Sequence, residues 1–120
     1  MTETATSSDG FINPAKLLDL DTGRVYPLPP EVGAYSIGRK DNDSNADIQI
    51  ETKDNYMSRV HVEIEVKKDK DKYYYGIGLS KDARNPIIID GRIVKTPNET
   101  IPLEKNQVIR LPYIKLRIIE

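Results

Sequence analysis

Val60-His61-Val62-Glu63-Ile64-Glu65-Val66-Lys67 is the stretch on which the fold turns. Val60, Val62, Ile64 and Val66 alternate with His61, Glu63, Glu65 and Lys67. Side chains of a β-strand point to opposite faces in turn, so this alternation predicts a strand with one buried and one solvated face. Glu63 and Glu65 then read as the wet side of a sheet, not as a catalytic carboxylate pair. The charges of Lys67-Lys68-Asp69-Lys70-Asp71-Lys72 mostly alternate in sign, so their fields cancel at a distance and the run reads as a solvated hairpin turn. Beyond it, Tyr73, Tyr75, Ile77 and Leu79 supply the next inward face.

The same period continues outward in both directions. Ala15 to Leu20 and Arg24 to Leu28 flank Asp21-Thr22-Gly23, a hairpin turn. Pro27, Pro29 and Pro30 interrupt pairing. Ala34 to Gly38 and Ala46 to Ile50 read as short strands. Pro86 to Ile89 and Arg92 to Lys95 flank Asp90-Gly91, a strong signal for a two-residue turn with positive φ. Ile101 to Leu103, Gln107 to Leu111 and Tyr113 to Ile119 complete the set. No long stretch has the 3.6-residue apolar period of a helix. About eleven short strands separated by turn residues predict an all-β chain, an antiparallel β-sandwich or barrel. Residues 1–13 are mostly small and polar and predict a flexible tail, with the folded domain over 14–120.

Composition narrows the function classes. A chain of 120 residues is the size of one domain. With no Cys, thiol catalysis, disulfides and Cys-ligated zinc are excluded. A single His and scattered carboxylates do not make a metal centre, and no cofactor motif is present. A formal net charge of −1 lacks the basic excess of a nucleic-acid binder. No apolar run is long enough for a membrane helix, and the N-terminus has no signal-peptide pattern, so a cytoplasmic chain is expected, or a nuclear one in a eukaryote. An ending directly after the strand residue Ile119 would suit a module of a larger protein. An enzyme has little material here.

Three polar patches fall on loops between the expected strands: Gly38-Arg39, Ser58-Arg59-Val60-His61, and Arg84-Asn85 ahead of Asp90-Gly91. Taken singly, they are a surface Arg, a turn Ser bonding its own backbone, and a loop Asn satisfying a nearby peptide group. Taken together, they suit an anion. Arg offers planar, permanently charged donors for bidentate bonds, and short hydroxyls and amides complete a phosphate cradle.

In this order and spacing the patches resemble the signature of the forkhead-associated (FHA) family. That signature has a Gly-Arg, then Ser-Arg-x-His about twenty residues later, then a Gly-rich Asn-Gly-Thr segment. Asn45-Ala46-Asp47-Ile48 also resembles the family's Asp-Ile/Val strand entry, and the likeness spans about residues 15–119. Where the family has Asn-Gly-Thr, this chain has Asn85-Pro86-Ile87. The resemblance implies a SMAD/FHA-type sandwich. It also implies a phosphothreonine-dependent peptide-binding module of Ser/Thr kinase signalling, with no catalytic residue, cofactor or metal. Arg39 and Ser58 would bind the phosphate, and Arg59 and Arg84 the phosphate or the peptide flanks. Asn85 would hold the peptide main chain. His61 would be a framework residue, and Gly38 and Gly91 would serve backbone geometry. The partner would be a phosphothreonine-containing protein, not nucleic acid or membrane. The tail offers a candidate phosphosite, Thr6, with Asp9 three residues on, which would dock on the domain itself. The alternative is an FHA-like interaction sandwich that has lost phosphate dependence and uses Tyr73, Tyr74 or Tyr75 as an exposed patch.

Overall fold

The alternating stretch forms the middle of a five-stranded sheet in the computed structural model, which describes residues 10–120. Eleven strands are present among the described residues. They are β1 (Lys16–Asp19), β2 (Val25–Pro27), β3 (Gly33–Arg39), β4 (Ile48–Ile50), β5 (Val62–Asp69) and β6 (Lys72–Leu79), followed by β7 (Ile87–Ile89), β8 (Arg92–Val94), β9 (Thr100–Leu103), β10 (Val108–Leu111) and β11 (Ile114–Ile119). One sheet runs β2-β1-β11-β10-β7-β8 and the other β4-β3-β5-β6-β9. The described residues contain no helix, and hence none long and apolar enough to cross a membrane.

Turn chemistry sets the registers. Lys70 and Asp71 alone connect β5 to β6, with Lys70 at φ +57° and Asp69 opposite Lys72. Asp90 and Gly91 connect β7 to β8 with both φ values positive, +48° and +84°, which matches the twist of the flanking strands. The inward residues of the two sheets then face each other. Val62, Ile64, Val66, Tyr75 and Ile77 pack on one side, and Leu17, Ile87, Ile109, Leu116 and Ile118 on the other, all buried.

Three features depart from the sequence-based expectation. Ordered packing reaches back to Gly10 and Phe11, ahead of Pro14. Phe11 is fully buried, exchanges backbone hydrogen bonds with Tyr73 and meets the Tyr75 ring edge-on at 5.1 Å. A single aromatic in a polar stretch carries no period, so nothing local announces it. Thr6 and Asp9 lie outside the described residues. Tyr73 and Tyr75 are not an exposed patch: both are buried, and the Tyr75 hydroxyl accepts the Ala15 N–H at 2.8 Å. The exposed aromatics are instead Tyr56 and Tyr113, an edge-to-face pair 5.5 Å apart. Finally, β3 and β4 pair in parallel, in a sandwich whose other strand pairs are antiparallel. The chain from Lys40 to Asp47 is long enough to cross back before pairing resumes.

Candidate functional site

Gly38 is where two of the sequence patches become one structure. It is buried near the end of β3, and a Cβ on it would sit 1.7 Å from the Arg59 carbonyl oxygen. No real Cβ approaches backbone that closely, so only glycine lets the Ser58–Val60 segment cross here. The crossing is then bonded in place. The Arg39 N–H donates to the Ser58 carbonyl at 2.9 Å, and the His61 N–H donates to the Ile37 carbonyl at 2.8 Å.

His61 organises the same segment from below. Its side chain is fully buried although it falls on the polar phase of the Val60–Lys67 alternation, because regular strand begins only at Val62. Nδ1 accepts the Ser58 N–H at 2.9 Å, which places the proton of the neutral ring on Nε2. Among the described residues, Nε2 is buried without a hydrogen-bond partner. Burial pushes the His61 pKa down, opposed by the backbone of Asn85 and Pro86 and by the Asp54 charge. Among the described residues no bond of hydrogen-bond geometry joins that backbone to the ring, so its effect is electrostatic. The imidazole is thus buried with its Nδ1 committed to backbone.

Three loops meet above this framework: Lys40 to Asp47 after β3, Glu51 to His61 before β5, and Ser80 to Pro86 after β6. The second and third of these, with Arg39 at the end of β3, enclose an open groove of about 390 Å³ whose lining includes Arg39, Ser58, Arg59 and Arg84. Arg39 is anchored by its Nε, which donates to the Met57 carbonyl at 3.0 Å. The Ser58 Oγ accepts the Arg84 N–H at 3.2 Å, tying the third loop to the second. Asn85 does not line the groove itself. Its Nδ2 donates to the Tyr56 carbonyl at 2.9 Å, while its Oδ1 is unpartnered among the described residues. The structure therefore brings Arg39, Ser58, Arg59 and Arg84 together, sets Asn85 beside them, and leaves Gly91 in the β7–β8 turn as a backbone residue. Pro86 is exposed, and Ile87 is buried as the first residue of β7, so the departure from Asn-Gly-Thr feeds the core.

Sequence reading missed Asn55, Met57 and Asp82, which line the groove, and Asp41, which stands beside it. Asp41 bonds two of its arginines through a single oxygen: Oδ2 accepts from Arg39 Nη1 at 3.2 Å and from Arg59 Nε at 3.1 Å. The Asp43 N–H, together with Arg59 and Arg39, holds the Asp41 carboxyl below the usual carboxylate range. Its position two residues after Arg39 was the only available signal.

Comparison with known proteins fits this geometry. The sequence profile described as "FHA domain" matches residues 35–112, from β3 through the β10–β11 turn. The chain belongs to the FHA domain family. No curated protein matches it in sequence. Among solved structures, it is similar to the FHA domain of the CT664 protein from Chlamydia trachomatis, with a TM-score of 0.71, 24% identity, and coverage of 90% of this chain and 98% of that one. It is also similar to the MEK1 FHA domain in complex with a HOP1 phosphothreonine peptide, with a TM-score of 0.69, 20% identity, and coverage of 88% and 95%. A third similar structure is Mycobacterium tuberculosis EmbR in complex with a low-affinity phosphopeptide, with a TM-score of 0.65, 23% identity, and coverage of 88% and 24%. At such identities these neighbours establish the FHA fold, and the groove has to be argued from this chain's own residues.

Proposed function

We propose that this FHA domain is a phosphothreonine reader, a binding module rather than an enzyme, acting on proteins marked by a Ser/Thr kinase. The observation that carries the reading is the convergence of Arg39 from the end of β3, Ser58 and Arg59 from the loop before β5, and Arg84 from the loop after β6 on one open groove over a rigid sandwich. A phosphothreonine brings about −1.5 to −2 charges and three strong acceptor oxygens. Arg39 and the Ser58 hydroxyl take the phosphate. Arg59 and Arg84 hold its remaining oxygens or acidic flanks of the peptide. The open Oδ1 of Asn85 accepts a main-chain N–H of the peptide. Phosphate reading by Arg clusters is an established recognition mode in which FHA domains are a standing example.

Three or four charge-assisted hydrogen bonds at about 1.5–3 kcal/mol each exceed the cost of ordering a short peptide. A net binding free energy of about 8 kcal/mol corresponds to a Kd of about 1 μM. Titration calorimetry with a phosphothreonine peptide library, its unphosphorylated counterparts and the Arg39→Ala variant tests this. Micromolar binding that needs both the phosphate and Arg39 is the expected result. Equal affinities for wild type and variant would overturn it. The exposed Tyr56–Tyr113 pair favours one other reading, an FHA-like interaction surface that works without phosphate. Under that reading the unphosphorylated peptides bind as well as the phosphorylated ones.

A further inference from the structure

The phosphate-facing arginines already hold an anion, and it belongs to the chain itself. On Arg39, Nε is committed to the Met57 carbonyl and Nη1 to Asp41. On Arg59, Nε is committed to the same Asp41 oxygen. That bond removes the Nε–Nη edge of Arg59 from bidentate use, and bidentate geometry is what makes Arg–phosphate contacts strong. Charge points the same way. Around the groove, Arg39, Arg59 and Arg84 face the carboxylates of Asp41 and Asp82. A dianion added to that set leaves negative charge in excess, whereas the same dianion without Asp41 is matched by the three arginines. Asp41 can leave. It is the second residue after β3, in a loop that next becomes regular only at Ile48, and its side chain is 23% exposed.

We propose that Asp41 is an internal competitor for the phosphate site, a carboxylate that occupies the Arg39–Arg59 pair in the empty domain and must swing out when a phosphorylated ligand enters. This inference rests on the phosphothreonine reading above and adds the residue that sets its affinity. Displacement costs every incoming anion the same factor. Single carboxylates and free phosphate, held weakly in any case, therefore fall below useful affinity, while a phosphothreonine within a peptide stays above it. Asp41 thus acts as a threshold and not as a contact.

Titration of wild type, Asp41→Asn and Arg39→Ala with one phosphothreonine peptide and with inorganic phosphate decides the matter. Arginine Nε–H resonances are followed in parallel by NMR. Asp41→Asn keeps the size and the bond to the Asp43 N–H but removes the charge. The expected gain is about fivefold in affinity for both probes, the effect of one unit charge at about 4 Å in a watery site. In wild type, added peptide should shift the Arg59 Nε–H signal away from its carboxylate-bonded position. Unchanged or weaker binding by Asp41→Asn would overturn the proposal and make Asp41 a positioning residue that holds Arg59 ready. Wild-type binding abolished by Arg39→Ala, with no gain from Asp41→Asn, would sink only the competitor role. No binding by wild type or Asp41→Asn would sink the phosphothreonine reading as well. A matching thermal unfolding midpoint for Asp41→Asn ensures that the comparison is between folded proteins.

Discussion

The Ser58–His61 segment and the Ser80–Pro86 loop form two rims of the same groove but are held by different means. The first is locked from several sides: Gly38 admits it, the Ile37 and Arg39 backbones bond it, the imidazole of His61 braces it, and the Ser80 N–H donates to the His61 carbonyl at 2.9 Å. The second is anchored at the buried Ser80 and beyond it is a more exposed loop tied across by the Arg84 N–H to Ser58 Oγ and by Asn85 Nδ2 to the Tyr56 carbonyl. One rim is continuous with the core and the other leans on the first. Under the phosphothreonine reading proposed above, a rigid rim suits the invariant part of the ligand, the phosphate, and a leaning rim suits the variable part, the peptide flanks.

Substitutions can break this contrast from either end. The largest effect is expected from Gly38→Ala, because the added carbon meets backbone that has no free end to move. A loss of about 3 kcal/mol or more is expected from such overpacking, measured by urea unfolding, together with loss of phosphate binding. Wild-type stability in that variant would mean that the crossing is not rigid.

His61 comes next, through pH. Its folded pKa lies below its unfolded value of about 6.5, so the unfolded chain binds more protons in the window between the two. Stability from the buried neutral ring is therefore full above about pH 6.5 and is lost as pH falls through the folded pKa. Protonation also turns Nδ1 from acceptor to donor and breaks its bond with the Ser58 N–H. Thermal unfolding midpoints should fall on acidification from pH 7.5 toward 5.5, and His61→Gln should remove that slope. An identical slope in the variant would assign it to other groups.

The smallest effect on folding should come from the leaning rim. Asn85→Ala removes one bond to a loop carbonyl, a cost of about 1 kcal/mol. Peptide affinity should fall further, by about tenfold, if Oδ1 holds the peptide main chain. A stability loss on the scale of Gly38→Ala would show that both rims are equally built in.

Much of the framework could be read from the chain alone. Alternation over Val60–Lys67 and Tyr73–Leu79 marked two central strands, and Asp90-Gly91 marked a two-residue turn, because both signals depend on neighbours in sequence. Arg39, Ser58, Arg59 and Arg84 were identified by kind and order, and they do meet in one groove. What could not be read involves partners distant in sequence or without a period. Phe11 is buried by Tyr73 and Tyr75 from over sixty residues away. The parallel β3–β4 pairing is a choice of partner, not of local pattern.

By itself, the sequence determined an all-β chain of about eleven strands, the positions of several of its turns, and four residues that line one groove. Period two and positive-φ turns are local physics, written in adjacent residues. The tertiary structure alone decided that Gly38 must be glycine because Arg59 lies against it, that His61 is buried, and that Asp41 stands on the same two arginines a phosphate would need. Those facts follow from how loops on separate strands converge, and that depends on sheet register and packing rather than on any residue's immediate neighbours.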